Sequence, residues 1–284
     1  MKKVGIICDL EYTRHPCFRN YYHAIVSIYG LSRIVKTPID LDGLDILFIG
    51  DDHWFNHKTI WQQSEFIDKC NADKIKIVVF TTEKILNSHF PWNIENLEFL
   101  RKFNEVYHYT IDVDDCIELG TKLNRVHMAK RYKNYIHIPV EKIDEVVFVG
   151  STYCACSSYD KRLKTLEEIK KLIPLRIIPP NMGTWEEYMR TISQYRFVLS
   201  PPCNGNFFPM RFYETLLVGS IPIHQVGENT LQYYDTEAVL PDCIYFQDVN
   251  ELPEKIKNFP LMRSTSEFWL DDYIETLLKK ENLI

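Results

Sequence analysis

Between residues 197 and 223 the sequence reads FVLSPPCNGNFFPMRFYETLLVGSIPI, a stretch whose residue types suit anion binding. An apolar run closes at Ser200 and Pro201, and a polar loop follows with Asn204, Gly205 and Asn206. A helix is predicted from Arg211 to Gly219, the glycine being well placed just past a helix end. Free backbone N–H groups at the start of such a helix, with the helix dipole behind them, attract negative charge. Arg211 on the first turn can grip a phosphate through two parallel hydrogen bonds. Glu214 shares its helix face, and a carboxylate there can accept bonds from both hydroxyls of a ribose. An ordinary surface Arg–Glu pair after a strand has the same spacing.

Other groups point to the same chemistry. Phe148-Val149-Gly150-Ser151-Thr152 ends an apolar run, and Gly150 would let backbone approach a phosphate while the Ser151 and Thr152 hydroxyls donate to it. Arg162 opens the next predicted helix and can assist. A plain Gly-Ser turn accounts equally well for Ser151. Ile178 and Pro179, followed by Pro180 and Asn181, close another strand where a nucleobase could rest on backbone groups and an apolar wall.

Positioning these groups takes strands alternating with helices. Apolar runs at 3–9, 45–50, 75–80 and 105–109 read as strands, with helices at 17–30, 59–70, 94–102 and 113–123. A charged, polar stretch at 124–144 reads as a linker. The alternation then restarts, with strands at 145–150, 175–178, 196–200, 220–224 and 243–246, and helices at 160–172, 184–193, 211–219 and 249–257. An amphipathic helix is predicted over 267–281. This is an α/β protein with two Rossmann-like halves. Residues 1–130 form one and 145–265 the other, with 266–284 returning to the N-terminal half. Open α/β sheets bind ligands outside the carboxyl ends of their strands, so the expected site is a cleft between the two.

Composition narrows the classes. A net charge of −6 argues against a nucleic-acid binder, and Lys130-Arg131 and Lys170-Lys171 read as solvated charge. The 17 Tyr and 16 Phe suit stacking on sugar faces, but equally suit a large β-rich core. No apolar run reaches the ~18 residues of a membrane span, and the first residues lack the pattern of a signal peptide. A soluble, cytoplasmic protein is expected. The eight cysteines are then expected to be reduced thiols. Cys154 and Cys156 have no second pair at zinc-like spacing. Asp51-Asp52 lacks the spacer of a metal-binding D-x-D. Asp112-Val113-Asp114 has it, but falls where a helix should start and capping explains it. No metal is expected.

The 197–223 segment resembles the exostosin-like glycosyltransferases, which carry a strand ending in Ser/Cys-Pro, a Gly/Asn loop, and Arg-x-x-Glu-x-Leu-x-x-Gly-x-Ile-Pro-Ile/Val. The matching residues are Ser200, Pro201, Gly205, Arg211, Glu214, Leu216, Gly219, Ile221, Pro222 and Ile223. The likeness weakens outside 145–260. It implies a GT-B fold, a UDP-sugar donor with UDP-xylose leading, a glycan acceptor, inversion at the anomeric carbon and no obligatory cofactor. It also implies that Arg211 holds the diphosphate and Glu214 the ribose. Members of that family are usually anchored in the secretory pathway. A compact, anchor-free chain of this kind suits a large algal virus or a bacterium that builds glycans in the cytosol.

Inverting transfer needs a base to take the proton of the acceptor hydroxyl. Two clusters follow N-terminal strands: Asp9 and Glu11 with His15, and Asp51-Asp52-His53 with Trp54 and His57. The second is favoured, because it joins carboxylates, imidazoles and an indole on which a sugar acceptor can stack. Each acid is also a common helix cap or loop residue. A non-catalytic nucleotide-sugar binder, or an epimerase of the same fold, would share the donor residues. Asp52→Asn is expected to abolish transfer while leaving donor affinity intact. Full activity in a transfer assay would move the base to Asp9 or Glu11.

Overall fold

A computed structural model describes residues 2–7, 16–30, 32–51, 63–81, 85–86, 97–125, 128–130, 132, 141–152, 157–179, 183–201, 208–227, 243–260 and 269–284. The chain divides into two compact units, Met1–Lys130 with Phe268–Ile284, and Arg131–Glu267.

The first unit runs β1 (Val4–Ile7), α1 (Pro16–Tyr29), β2 (Arg33–Ile34), β3 (Ile46–Asp51), α2 (Ser64–Ala72), β4 (Lys76–Thr81), β5 (Val106–Thr110), α3 (Val113–Leu119) and β6 (Lys122–Leu123). The second runs β7 (Ile143–Val149), α4 (Ser157–Leu172), β8 (Leu175–Ile178), α5 (Trp185–Ser193), β9 (Tyr195–Leu199), α6 (Met210–Leu217), β10 (Ile221–Gln225), β11 (Ile244–Phe246) and α7 (Leu252–Lys257). A last helix, α8 (Leu270–Lys280), belongs to the first unit.

The first sheet has the order β2-β1-β3-β4-β5-β6 and is parallel throughout. Its central strands are apolar on both faces, as parallel strands between helices must be. Phe48 and Phe80 point to one side, where they pack with Ile25 of α1 and Ile274 and Leu278 of α8. Leu47, Ile49, Ile77 and Val79 point to the other side and pack with Phe66 of α2. The second sheet is also parallel, in the order β11-β10-β9-β7-β8. Phe148, Phe197, Leu199 and Ile223 form its core with Leu166 and Ile169 of α4.

Strand order reverses beside the first strand of each sheet. From β7 the chain steps to β8 on one side, then crosses to β9 on the other. From β1 it steps to β2, then crosses to β3. Such switch points leave a crevice at the carboxyl ends of the two strands. Gly150 and Ser200 follow β7 and β9. The acids at positions 9 and 52 follow β1 and β3 in sequence, but lie outside the described residues.

Several elements differ from their sequence reading. The helix predicted over 113–123 stops at Leu119, because Gly120 turns left-handed at φ 61°, and residues 122–123 form β6. Strands β2 and β6, each two residues long, have no apolar run to announce them. The linker expected over 124–144 is shorter. Asn124 is buried in the first unit, donating to the Tyr21 hydroxyl at 2.6 Å, and β7 begins at Ile143. Asp112 caps α3 by accepting from the Asp115 amide, as the capping reading expects. Gly219 closes α6 at φ 74°. Cys70 and Cys116 are free thiols, and burial pushes both up to about 12. Among the described residues no helix is long and apolar enough to cross a membrane.

Two imidazoles have covered ring nitrogens within these sheets, His224 being buried as a whole and His108 half-buried. On β5, His108 has both ring nitrogens buried without a hydrogen-bond partner among the described residues. On β10, His224 bonds through Nδ1 to the Ser200 carbonyl and leaves Nε2 unpartnered. Burial lowers both from an ordinary 6.5 to about 4. The folded protein therefore resists protonation that the unfolded chain accepts. Stability is full above about pH 6.5 and declines as pH falls toward 4, by up to roughly 3 kcal/mol per ring. His108→Phe and His224→Asn should each flatten this decline in denaturant melts between about pH 7 and pH 4.5. Acid sensitivity equal to the parent's in both variants would contradict the assignment.

Candidate functional site

Around the end of β7 the structure brings together Gly150, Ser151, Arg162, Ile178 and Arg211 of the expected donor residues. Phe148 is the last large apolar side chain of β7 and is fully buried. Two guanidiniums approach its ring. Arg211 Cζ lies 4.8 Å from the ring centroid and Arg162 Cζ 6.0 Å from it. Cations near an aromatic face gain from the ring quadrupole. Arg162 is only 7% exposed, and its Nη1 donates to the Ser151 carbonyl at 3.2 Å. Ser151 and Thr152 are half-buried beside it. The Gly150 amide donates to the Ile178 carbonyl at 3.0 Å, tying the ends of β7 and β8 together. Ile178 is half-buried and Pro179 exposed at that end.

Gly150 has a use that its sequence context does not reveal. A Cβ at this position would collide with Arg211 Nη2 and lie 3.2 Å from Arg211 Cζ and 3.1 Å from Phe148 Cζ. The room left by the missing side chain is taken by the Arg211 guanidinium. Arg211 Nε has no hydrogen-bond partner among the described residues.

Glu214, one turn after Arg211 on α6, does not form the surface pair that its spacing allowed. It is 6% exposed, and its Oε1 accepts from Trp185 Nε1 of α5 at 3.0 Å. The Tyr188 side chain, also on α5, is within hydrogen-bonding reach of both Glu214 and Arg211. Burial raises the Glu214 carboxyl above its usual range, while bonding from Trp185 and Tyr188 and the Arg211 charge pull it back. Burial, reinforced by the Glu214 charge, likewise raises the Tyr188 phenol. The Trp185 ring packs on Tyr132 at 5.2 Å between centroids. The sequence reading missed Trp185, Tyr188 and the ring of Phe148. The one signal for the first two was their i,i+3 spacing, which puts both on one face of α5.

Ser200 and Pro201 are buried, so neither presents a free surface. The Ser200 amide donates to the Ile223 carbonyl at 2.7 Å, and its hydroxyl has no partner among the described residues. His224 behind it is enclosed by Phe208 and Phe212, with centroids at 4.8 and 5.6 Å. Asn204, Gly205 and Asn206 lie outside the described residues, as do Asp9, Asp52, His53, Trp54 and His57. Among the described residues no cluster of His, Cys, Asp or Glu is placed to hold a metal.

Compared by sequence, the chain matches no family model and no curated protein. Compared by structure, it is similar to a solved alpha1,3-fucosyltransferase, with a TM-score of 0.50 and 12% identity over 98% of this chain and 88% of that one. A structure of alpha1,3-fucosyltransferase with GDP-fucose matches with a TM-score of 0.48 and 12% identity, over 98% and 89% of the two chains. The first likeness, together with the two parallel sheets, shows the fold: this chain is a GT-B protein built of two Rossmann-like domains.

Proposed function

We propose that this protein is an inverting glycosyltransferase that moves a sugar from a nucleoside diphosphate to a hydroxyl of a glycan. The observation that carries the reading is the pair of guanidiniums, Arg211 and Arg162, brought to one aromatic ring at the switch point of the second unit. A diphosphate leaving group gains negative charge as the bond to the anomeric carbon breaks. Preorganised cations in a water-poor site stabilise that charge at little reorganisation cost. The GT-B fold, shared with an alpha1,3-fucosyltransferase, supports sugar transfer as the chemistry. The exostosin-like pattern around Arg211 supports UDP as the carrier, with UDP-xylose the leading donor and no obligatory cofactor.

In this reading Arg211 grips the diphosphate and Arg162 holds the loop after β7 while adding positive charge. The acceptor proton goes to a carboxylate or imidazole of the first unit. Asp52, His53 and Asp9 are the candidates, since they follow the two strands that flank that unit's switch point.

Titration calorimetry with UDP and GDP tests the binding. Arg211→Ala should weaken diphosphate binding roughly 10- to 100-fold, the worth of a charge-assisted bidentate contact. Gly150→Ala should weaken it by a comparable factor, because the new methyl group displaces the guanidinium. Both variants should melt within a few degrees of the parent. Parent-like affinity in both would refute the site. Slow release of sugar from a UDP-sugar panel should accompany binding; tight binding with no turnover on any donor or acceptor would leave a sensor rather than an enzyme.

A further inference from the structure

The strand that follows α6 carries a polar residue where burial favours an apolar one. His224, on β10, is 1% exposed, and Ile221 and Ile223 before it are core residues. Its Nδ1 meets the Ser200 carbonyl at the end of β9, and a carbonyl only accepts, so Nδ1 carries the ring proton. Nε2 is then a bare acceptor, covered and without a partner among the described residues. An apolar side chain would avoid that cost. What the imidazole provides instead is a ring held in one plane by a hydrogen bond. Phe208, just before α6, and Phe212, on its first turn, stack on each other at 4.6 Å between centroids and lie 4.8 and 5.6 Å from the imidazole. Tyr245, opposite His224 in the register of β10 and β11, adjoins the group at 5.9 Å from Phe208. Helix α6 needs such a seat. Its N-cap, Pro209, makes no side-chain cap hydrogen bond, and Arg211 stands on the first turn between Met210 and Phe212.

We propose that His224 is a positioning residue for the diphosphate-binding arginine: tied to Ser200 by one hydrogen bond, its ring seats Phe208 and Phe212 and so fixes the first turn of α6, from which Arg211 reaches Phe148 and Gly150. The assignment rests on the functional reading above, since it takes Arg211 as the diphosphate ligand. His224 acts through the two phenyl rings and touches no substrate. A locally costly residue kept in a core is expected where a site must be held in one geometry.

Two substitutions divide the parts of the seat. His224→Phe keeps a ring and loses the hydrogen bond, whereas His224→Asn keeps a donor for Ser200 and loses the ring. UDP is titrated into the parent, both variants, Arg211→Ala and each double variant with Arg211→Ala, with a thermal melt of every protein. Positioning predicts that each His224 variant loses about tenfold in UDP affinity, the usual scale of coupling between neighbouring groups. His224→Phe should still melt within a few degrees of the parent, because the lost bond is offset by removal of a buried nitrogen that has no partner among the described residues. Neither substitution should cost more affinity once Arg211 is alanine, since groups that act through one another are not additive. By the reciprocity of linked equilibria, the Nδ1 proton of His224 should shift in the NMR spectrum as UDP saturates the parent. Parent-like affinity in either folded variant, losses undiminished in the Arg211→Ala background, or an Nδ1 proton unmoved by UDP would overturn the assignment and leave His224 a core residue only. Should His224→Phe fail to fold, His224→Asn carries the same comparisons. If Arg211→Ala loses UDP while the His224 variants do not, the positioning role alone falls. If the parent binds neither UDP nor GDP, the functional reading falls and takes this assignment with it.

Discussion

The contact of the Arg211 guanidinium with the ring of Phe148, in the room that Gly150 leaves, is the constraint on which the candidate site depends. The ring is fixed because it is also a core residue of the second sheet, packed with Leu166 and Ile169 of α4. The cation therefore stands on a rigid surface, and its freedom is limited by the strand below it and not by a loop. A cation–aromatic contact contributes about 1–2 kcal/mol when desolvated, less than the cost of covering a full charge. The Glu214 carboxylate, one turn later on α6, contributes a favourable charge, and the Tyr188 phenol of α5 adjoins both groups.

Topology brings these parts together from distant points in the chain. Gly150 and Ser200 are fifty positions apart in sequence, yet β7 and β9 are hydrogen-bonded neighbours, Val147 opposite Val198. The crossover that leaves β8 on the far side opens the crevice between them. The first unit repeats the arrangement with β1 and β3. The strand ends that carry Gly150 and Ser200 in one sheet thus correspond to those of β1 and β3 in the other.

Much of this was readable from sequence, for physical reasons. Buried parallel strands announce themselves as apolar runs, so β3, β4, β7, β9 and β10 were found within two residues of their limits. Strands β2 and β6 were missed because a two-residue ladder needs no such run. The helix predicted over 113–123 ran on because Gly120 inside a helical pattern costs only about 1 kcal/mol, and only its left-handed φ showed that the helix had ended. Arg211 and Glu214 were legible through their spacing and family pattern, but the burial of Glu214 was not. That depends on Trp185 and Tyr188 arriving from α5, and no local pattern records which helix packs against which. The reason for Gly150 was hidden in the same way: the side chain that needs its space stands sixty-one positions downstream.

The placement of α8 bears on how the molecule is made. Leu270, Ile274, Leu278 and Leu283 are core residues of the first unit, packed with α1 and the face of the sheet that carries Phe48 and Phe80. Domains generally fold as they leave the ribosome, N-terminal first. Here the first unit lacks part of its core until α8 has been made. The second unit, continuous in sequence, can close its core while the nascent first sheet still lacks the helix that covers α1. The earlier-made half waits with an uncovered apolar face through the synthesis of more than a hundred further residues, and it is during that interval that a chaperone would have most to hold.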